Sequence, residues 1–271
     1  MTASSVNAKI YLHEYIDIIG QNRARYMHHM TANWNPIGME ERKQLCAGLW
    51  GTVGSTGRWP ETVNLWELDG FDGIAASFAF ETGRPSQQDE KLAKWWAEAA
   101  NFRRGGFDRL MLPAPWCRTV TELCEQGVAG EAYAHETIKL DAWTAPDFLS
   151  AVQDVALPAF ATFGIEVTGA YRTALRDDSE VTLIYAFPTW QAWADFEHAW
   201  HFGGEAVAPW QQLVRDQASA FERFMMVEAP LSPMRLGRQP DRSDRSRAGQ
   251  TCRNASYTPR RTTSRRYGEH P

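Results

Sequence analysis

The chain has 271 residues, of which 44% are hydrophobic, and carries a net charge of −5 at neutral pH. This length predicts one or two domains with a proper core, and the acidic balance argues against nucleic acid as a partner. No apolar run approaches the roughly 20 residues that span a bilayer, and the polar N-terminus lacks the apolar segment of a secretion signal. We therefore expect a cytoplasmic protein that binds neither nucleic acid nor membrane.

Sequence motifs exclude several kinds of chemistry. The four cysteines have no C-x-x-C spacing, which argues against a disulfide framework and against a zinc site. The chain also lacks G-x-G-x-x-G, P-loop and G-x-S-x-G motifs, which argues against nucleotide chemistry and α/β-hydrolase catalysis. We expect no metal and no cofactor.

Hydrophobic periodicity predicts the first half as strand, helix, two strands, two helices and strand. Residues 10–18 alternate, with Ile10, Leu12, Ile16 and Ile18 on one face and Tyr11, His13, Tyr15 and Asp17 on the other. The first helix should stop before Pro36, and the Gly105-Gly106 pair should end the last one. The predicted strands are 10–18, 46–53, 62–68 and 108–112, and the predicted helices are 23–34, 71–80 and 88–102.

The second half repeats that order. Its predicted strands are 132–140, 166–174, 181–187 and 223–227, and its helices are 145–163, 190–200 and 205–218. This is the split β-α-β order of a ferredoxin-like domain. Two such sheets, each with helices on one face, can pack their open faces together.

Short motifs show that the two halves are copies. Tyr11-Leu12-His13-Glu14 returns 122 residues later as Tyr133-Ala134-His135-Glu136, and Gly48-Leu49-Trp50 returns as Gly169-Ala170-Tyr171. At the ends of the halves, Asp108-Arg109 aligns with Glu222-Arg223. The prediction is an α+β protein in which tandem ferredoxin-like repeats form an intramolecular pseudo-dimeric α/β barrel. The predicted segments are repeat 1 at 9–114, a linker at 115–130, repeat 2 at 131–230 and a tail at 231–271.

The tail differs in composition from the rest of the chain. Residues 235–271 hold ten arginines against three acidic residues, so their net charge is +7 and the remaining chain carries −12. A segment rich in Arg, Ser, Thr, Pro and Gly with little apolar content is typical of disorder. We predict a disordered, Arg-rich and dispensable extension.

The opening strand, Tyr11-Leu12-His13-Glu14-Tyr15 followed by Gly20, resembles the start of NIPSNAP-type domains. Those domains also place a Gly-aromatic strand, here Gly48-Leu49-Trp50, before a strand like Val63-Asn64-Leu65-Trp66-Glu67. The resemblance implies the dimeric α/β-barrel superfamily, which includes cofactor-independent oxygenases, lactone isomerases, haem-binding enzymes and members without an assigned reaction. Fold alone does not choose among these functions.

The faces of the strands predict a candidate pocket. If the apolar face of each first strand packs on helices, the opposite face points into the barrel. An aromatic cavity with a few polar groups suits a hydrophobic small molecule, although paired aromatic faces also occur as simple packing. The predicted substrate-binding residues are Tyr15, Trp50, Asn64, Trp66, Tyr171 and Tyr185.

His13 and His135 are the predicted catalytic residues. A neutral imidazole in an apolar cavity can act as a general base, because its pKa lies near the operating pH. Each ring could instead ligate haem or simply hydrogen-bond a neighbour across the pseudo-twofold axis. The presence of both histidines favours the structural alternative, since one active site needs only one base.

Glu14 and Glu136 lie among apolar residues on the predicted helix side. A buried carboxylate needs a partner, and Arg23 or Arg25 is the candidate in the first half. The second half offers no obvious equivalent. A structural ion pair is the expectation for both Glu14 and Glu136.

The favoured function is a cofactor-independent enzyme with oxygenase-like or isomerase-like chemistry on a hydrophobic or aromatic small molecule. Two alternatives stay open: a non-catalytic NIPSNAP-type ligand-binding or interaction protein, and a haem-binding enzyme. Tryptophan-rich helices, among them the one around Trp190 and Trp193, leave a homo-oligomer open as well.

Overall fold

The structure is a computed structural model that describes residues 6–83, 85 and 92–245. Eight antiparallel strands close into a barrel in the order β1-β3-β2-β8-β5-β7-β6-β4. Closure leaves no unpaired strand edge. The strands are β1 Ile10–Ile18, β2 Leu45–Thr52, β3 Glu61–Leu68, β4 Arg103–Pro113, β5 Ala132–Leu140, β6 Glu166–Thr173, β7 Glu180–Phe187 and β8 Ala218–Glu228.

The barrel consists of two four-stranded halves with the same internal order. In the first, β1 lies between β3 and β4, and β3 pairs with β2. In the second, β5 lies between β7 and β8, and β7 pairs with β6. The halves join where β2 meets β8 and where β4 meets β6. The predicted α+β architecture is confirmed: a closed barrel with helices packed outside it.

Helices cover the outer face of each half. The α-helices are α1 Arg23–His28, α2 Asn35–Arg42, α3 Gly70–Thr82, α4 Ala93–Ala99, α5 Val120–Glu125, α6 Ala145–Ala161, α7 Trp190–Phe202, α8 Ala208–Gln217 and α9 Pro233–Leu236. Within the described residues, no helix combines the length and apolar character that crossing a bilayer requires.

The prediction that the first helical run stops before Pro36 is wrong. The π-helical segment His29–Trp34 connects α1 to α2, and Pro36 lies in the first turn of α2. Proline is tolerated there because a first-turn N–H has no regular helical acceptor. The run ends at Lys43, whose backbone is left-handed (φ 54°). The helix is therefore one turn or more longer than predicted, and its extension brings Arg42 and Gln44 beside the sheet.

The chain between and after the repeats is more structured than expected. The predicted linker contains α5, whose capping box joins Thr119 and Glu122. The predicted disordered tail begins with α9 and a single-turn helix, Arg242–Asp244. Hydrogen bonds hold this segment to the first half, for example from Asn35 to the Pro240 carbonyl. Residues 246–271 lie outside the described residues.

The Gly105-Gly106 pair does not end a helix. Both glycines lie in β4, opposite Asp17 and Ile16 of β1. A Cβ at Gly106 would lie 2.1 Å from the Tyr15 carbonyl oxygen, so this position requires glycine for close strand approach. Strand β4 therefore starts five residues before the predicted boundary.

The repeated Gly-x-aromatic motif has a steric cause. A Cβ at Gly48 would lie 1.9 Å from the Trp50 ring, and one at Gly169 would lie 2.3 Å from the Tyr171 ring. Each aromatic side chain therefore folds back along its own strand over the glycine. The motif recurs because it packs the barrel interior in the same way in both halves.

Candidate functional site

The two predicted catalytic histidines meet at the centre of the barrel. Their Nε2 atoms lie 3.0 Å apart, and both side chains are fully buried. The Tyr15 hydroxyl lies 3.2 Å from Nε2 of His135, whose ring stacks on Phe224. Burial lowers the pKa of both imidazoles, with the positive charge of Arg109 acting in the same direction. This geometry is a packed, neutral contact between the halves; the assignment of acid–base work to these rings stays a prediction.

Trp50 and Tyr171 also lie in the interior, as their strand positions predict. Trp50 contacts Tyr133 with ring centroids 5.7 Å apart, and Tyr171 contacts Tyr11 at 4.8 Å. Both side chains are 1% exposed. Both rings are therefore buried and contact an aromatic neighbour.

Asn64, Trp66 and Tyr185 do not face the interior, which corrects the predicted pocket. Asn64 pairs with Glu14 and Trp66 with Leu12, so these side chains share the helix-facing side of the sheet. Every residue of β3 is buried, so alternation separates its two faces without showing which face points inward. Their side-chain contacts place Asn64 and Trp66 beside Glu14, and Tyr185 beside Glu136.

Glu14 is held by two neutral donors. Nδ2 of Asn64 donates to Oε2 of Glu14 at 2.8 Å, and Nε1 of Trp66 donates to the same oxygen at 2.7 Å. Asn64 is itself held by Tyr26, whose hydroxyl accepts a second hydrogen bond from Nδ2 at 2.8 Å. Oε1 of Glu14 has no hydrogen-bond partner in the described part of the chain. Among the described residues, the carboxyl group is thus held by hydrogen bonds to Oε2 alone.

The surroundings of Glu14 favour its protonated form. Burial raises the pKa of Glu14, and the neighbouring Asp108 carboxylate raises it further. The Asn64 and Trp66 hydrogen bonds and the charge of Arg103 oppose this shift. Asp108 lies directly opposite Glu14 in the β1–β4 ladder, and burial raises its pKa as well. Two carboxyl groups with elevated pKa values therefore lie side by side, an arrangement typical of acid–base sites.

Among the described contacts, neither Arg23 nor Arg25 forms an ion pair with Glu14. Arg23 instead donates to the Thr52 carbonyl at 2.6 Å, on the far side of the half. A carboxylate held by an amide and an indole keeps an elevated pKa, whereas an arginine would lower it. The ion pair predicted with Arg23 or Arg25 is therefore wrong for Glu14, which is held by Asn64 and Trp66 instead.

Glu14 lies on the floor of a cavity of about 480 Å³, which we name the Glu14 cavity. It is lined mainly by the sheet and helices of the first half, and also by residues 173–176 of the second half. This volume lies in the range of small-molecule sites. Its floor comes from β1, β3 and β4: Leu12, Glu14, Trp66, Asp108 and Leu110. Aromatic and apolar side chains from the helical layer cover it: Met30, Trp34, Ile74, Phe78, Trp95 and Trp96.

The π-helical segment helps to form this wall. Met30 and Trp34, both in that segment, line the cavity, and Trp34 contacts Trp95 with centroids 4.8 Å apart. π-Helical turns are rare and recur at functional sites. The sequence pattern does not identify this wall, because tryptophans at helical spacing are typical of core packing as well as of a cavity lining.

The same space in the second half is filled. Nε of Arg223 donates to Oε1 of Glu136 at 2.7 Å, and the Tyr185 hydroxyl donates to the same oxygen at 2.6 Å. The Arg223 guanidinium also pairs with Glu197 and lies 4.4 Å from the centroid of the Trp200 ring. A buried ion pair and aromatic rings thus occupy the region that is open in the first half.

This ion pair also corrects the sequence alignment of the last strands. Glu14 lies opposite Asp108, whereas Glu136 lies opposite Arg223, so Asp108 and Arg223 are the equivalent positions. The sequence alignment paired Asp108 with Glu222 instead. A shift of one residue transfers a side chain to the other face of a sheet, which is why the partner of Glu136 was missed.

The described residues do not fit haem. The Nε2 atoms of His13 and His135 are 3.0 Å apart and leave no space for a metal with its macrocycle. Around the Glu14 cavity, the described lining residues offer the thioether of Met30 but no imidazole, thiolate or phenolate. Axial ligation normally uses one of those three groups. We therefore derive no step through haem.

Comparison with solved structures shows the fold. A proposed monooxygenase from Lactobacillus acidophilus has a TM-score of 0.55 and 9% identity over 82% of this chain and 95% of its own. An anthrone oxidase-like protein has a TM-score of 0.50 and 10% identity over 83% and 93%. The chain therefore has the dimeric α/β-barrel fold.

The family assignment is not established by these comparisons. A NIPSNAP domain protein from Burkholderia xenovorans has 16% identity and a TM-score of 0.29, over 35% of this chain and 92% of its own. A match with this TM-score and coverage does not show membership of the NIPSNAP family, so the resemblance stays a prediction. No protein-family profile and no curated protein sequence matches the chain.

Proposed function

We propose that the Glu14 cavity is the active site of a cofactor-independent oxygenase-type enzyme that acts on a hydrophobic aromatic small molecule. One observation carries the proposal: a carboxyl group with an elevated pKa, whose Oε1 accepts no hydrogen bond from the described residues, lies on the floor of an aromatic cavity. The proposed monooxygenase and the anthrone oxidase-like protein that share the fold support this reaction class.

The chemistry begins with proton removal. An aromatic ring held between the Trp66 floor and the Trp34 and Trp95 wall presents an acidic C–H to Oε1 of Glu14. The carboxylate takes this proton, and Asn64 and Trp66 keep the carboxyl plane fixed through Oε2. A carboxylate with a raised pKa is a stronger base than one in water.

Molecular oxygen is the co-reactant for the carbanion that results. For an anthrone-type methylene, one atom of O₂ becomes the carbonyl oxygen and the other leaves as water with the two hydrogens of the CH₂ group, so the substrate loses four electrons and oxygen gains four. Delocalisation of the carbanion into the aromatic rings makes this step accessible without a metal or flavin. The enzyme's contribution is the deprotonation and the exclusion of bulk water.

A Glu14→Gln variant tests the proposal. We expect hydrogen–deuterium exchange at the acidic carbon of anthrone under anaerobic conditions, and oxygen uptake in air, to fall about 10²–10⁴-fold relative to the wild type. NMR measures the exchange, and an oxygen electrode with anthraquinone absorbance measures the oxidation. The wild-type rate should rise with pH through a pKa above 4.5, because only the ionised carboxylate is a base.

Glu166→Gln is the matched control, since Glu166 forms an ion pair with Arg118 on the surface and its side chain is 56% exposed. This variant should keep the wild-type rate. Equal rates in Glu14→Gln and wild type would reject Glu14 as the base. Ligand binding by the wild type without exchange or oxygen uptake would reject catalysis and support the ligand-binding alternative.

A further inference from the structure

Arg42 contributes an incompletely paired guanidinium to the Glu14 cavity. Its side chain is 4% exposed and lines the cavity where α2 ends. Nη1 donates to Glu81 at 2.9 Å, while Nε and Nη2 have no hydrogen-bond partner among the described residues. Leaving buried charged donors unsatisfied is costly, so their retention points to an acceptor that arrives with a ligand.

The contacts of Arg42 fix the guanidinium plane. The group lies over the Trp34 ring at 5.1 Å and over the Phe80 ring at 5.6 Å. Stacking on both rings restricts its rotation, and Glu81 uses one of its nitrogens. The remaining Nε and Nη2 form one edge of the fork, which is the edge that binds the two oxygens of a carboxylate in bidentate geometry.

Arg42 and Glu14 lie at different positions along the same cavity. Arg42 is followed closely by Leu45, which pairs with Glu67 of β3, whereas Glu14 pairs with Asn64. Asn64 and Glu67 are three residues apart, which is roughly 10 Å along a strand. Trp66 lies between these two levels and provides a flat apolar surface. The cavity lining therefore includes a candidate base, an aromatic floor and the incompletely paired guanidinium of Arg42, together with Arg103, Arg109 and Arg176.

We infer that the ligand of the Glu14 cavity is an aromatic carboxylate whose acidic group binds Nε and Nη2 of Arg42 while its ring lies over Trp66. This inference rests on the proposed function for its substrate, but it concerns binding and is tested with ligands that undergo no reaction. It names the substrate class: aromatic acids bind in preference to neutral aromatics of the same shape.

The experiment compares anthracene-2-carboxylate with anthracene-2-carboxamide by isothermal titration calorimetry. The two probes share ring and size and differ in charge. Wild-type protein should bind the acid at least about tenfold more tightly than the amide, and Arg42→Gln should abolish that preference. Arg42→Lys should retain part of it, because lysine keeps the charge and loses the fork.

Arg242→Gln is the matched control, since Arg242 pairs with Glu40 outside the cavity and its side chain is 53% exposed. The control should keep the wild-type preference, and thermal melting shows whether each variant is folded. An acid-to-amide ratio near one in the wild type, or an unchanged ratio in folded Arg42→Gln, would overturn the inference. Failure of the Glu14→Gln kinetics alone would leave this charge preference in place, so the two proposals fail separately.

Discussion

At the scale of single residues, the central histidines and Glu14 show how burial alone gives opposite results. Burial disfavours the charged form of each group, so it lowers the pKa of His135 to about 3 and raises the pKa of Glu14. The imidazole of His135 is thereby kept neutral at neutral pH. The carboxyl group of Glu14 is instead shifted toward its protonated form. The same physical effect therefore favours the carboxyl group over the imidazole as the acid–base residue.

The pH dependence of stability tests the neutral state of His135. Its pKa rises from about 3 in the folded protein to about 6.5 on unfolding, so its contribution to stability is full above pH 6.5 and is lost as the pH falls. Between about pH 7.5 and 5 the loss should be about 2 kcal/mol. We expect His135→Phe, which can retain the stacking on Phe224, to remove that part of the slope in urea unfolding.

The comparison of slopes isolates the histidine from other titrating groups. Glu228, whose pKa burial raises to about 7, contributes stability below pH 4.5 that is lost as the pH rises, which is the opposite trend. Both proteins contain Glu228, so its effect cancels. Identical slopes in wild type and His135→Phe would mean that His135 binds its proton in the folded state as readily as in the unfolded state.

The residue pattern predicted which side chains are buried, but it did not predict which side chains hydrogen-bond to each other. The position of Glu14 among apolar neighbours correctly placed it on the helix side. Its donors, Asn64 and Trp66, lie 50 and 52 residues away along the chain, and only the strand register brings them together. Register depends on the whole sheet, so composition and local spacing do not contain it.

At the scale of elements, equivalent strands carry unlike residues on the helix side. Asp108 of β4 and Arg223 of β8 occupy corresponding positions, and this difference separates an open space from a filled one. Arg223 extends across its half to Glu136 and Glu197 and stacks near Trp200. Asp108 is too short to do the same. One side chain therefore accounts for much of the difference between the two halves.

Removing one partner of the Glu136–Arg223 pair should be more damaging than removing both. The two side chains are 0% and 7% exposed, so Arg223→Met leaves an uncompensated buried carboxylate and should cost about 3–5 kcal/mol. The Glu136→Gln/Arg223→Met double variant should recover most of that loss. Urea unfolding of the single and double variants measures the coupling, and strictly additive effects would contradict a direct buried pair.

Strand β1 and strand β3 show when periodicity identifies a face. In β1, the apolar Ile16 and Ile18 lie on one face of the strand and the polar His13 lies on the other. The two faces differ in polarity, so the prediction of which face packs on the helices is correct. Strand β3 is buried on both faces, so Trp66 and Asn64 read equally well as interior or exterior. Because Asn64 and Trp66 of β3 lie on the helix side, the candidate pocket lies on that side of the sheet and not in the barrel interior.

At the scale of the whole molecule, the C-terminal segment secures the helices that wall the Glu14 cavity. Gln239 hydrogen-bonds both the amide and the carbonyl of Cys46, and Nε of Arg245 donates to the Ala32 carbonyl in the π-helical segment. Leu231 and Met234 are buried against the rest of the chain. The segment thus connects the end of the second half to the first.

A chain that ends at residue 230 should be less stable than one that ends at residue 245. The shorter chain lacks two buried apolar side chains, Leu231 and Met234, and exposes the surfaces that they cover. We therefore expect a loss of about 3–6 kcal/mol in the free energy of unfolding. Urea denaturation of the two chains measures the difference. Coincident unfolding curves would show that residues 231–245 add nothing to the fold.

The global architecture was more predictable than its boundaries. The order of strands and helices, repeated in the two halves, was sufficient to predict the α+β barrel, because few topologies accommodate that order. The tail was misjudged because composition averages over residues. Its first part holds the few apolar and capping residues, such as Leu231, Met234 and Asp241, that anchor it.

The fusion of both halves in one chain has a consequence for how this molecule can change. In a barrel assembled from two identical subunits, every mutation appears twice, so a substitution that fills one cavity also fills the other. Here codon 108 and codon 223 mutate independently. One copy can accumulate the Arg223 network as a stabilising brace while the other keeps an open space, and natural selection can act on rigidity and on ligand choice separately.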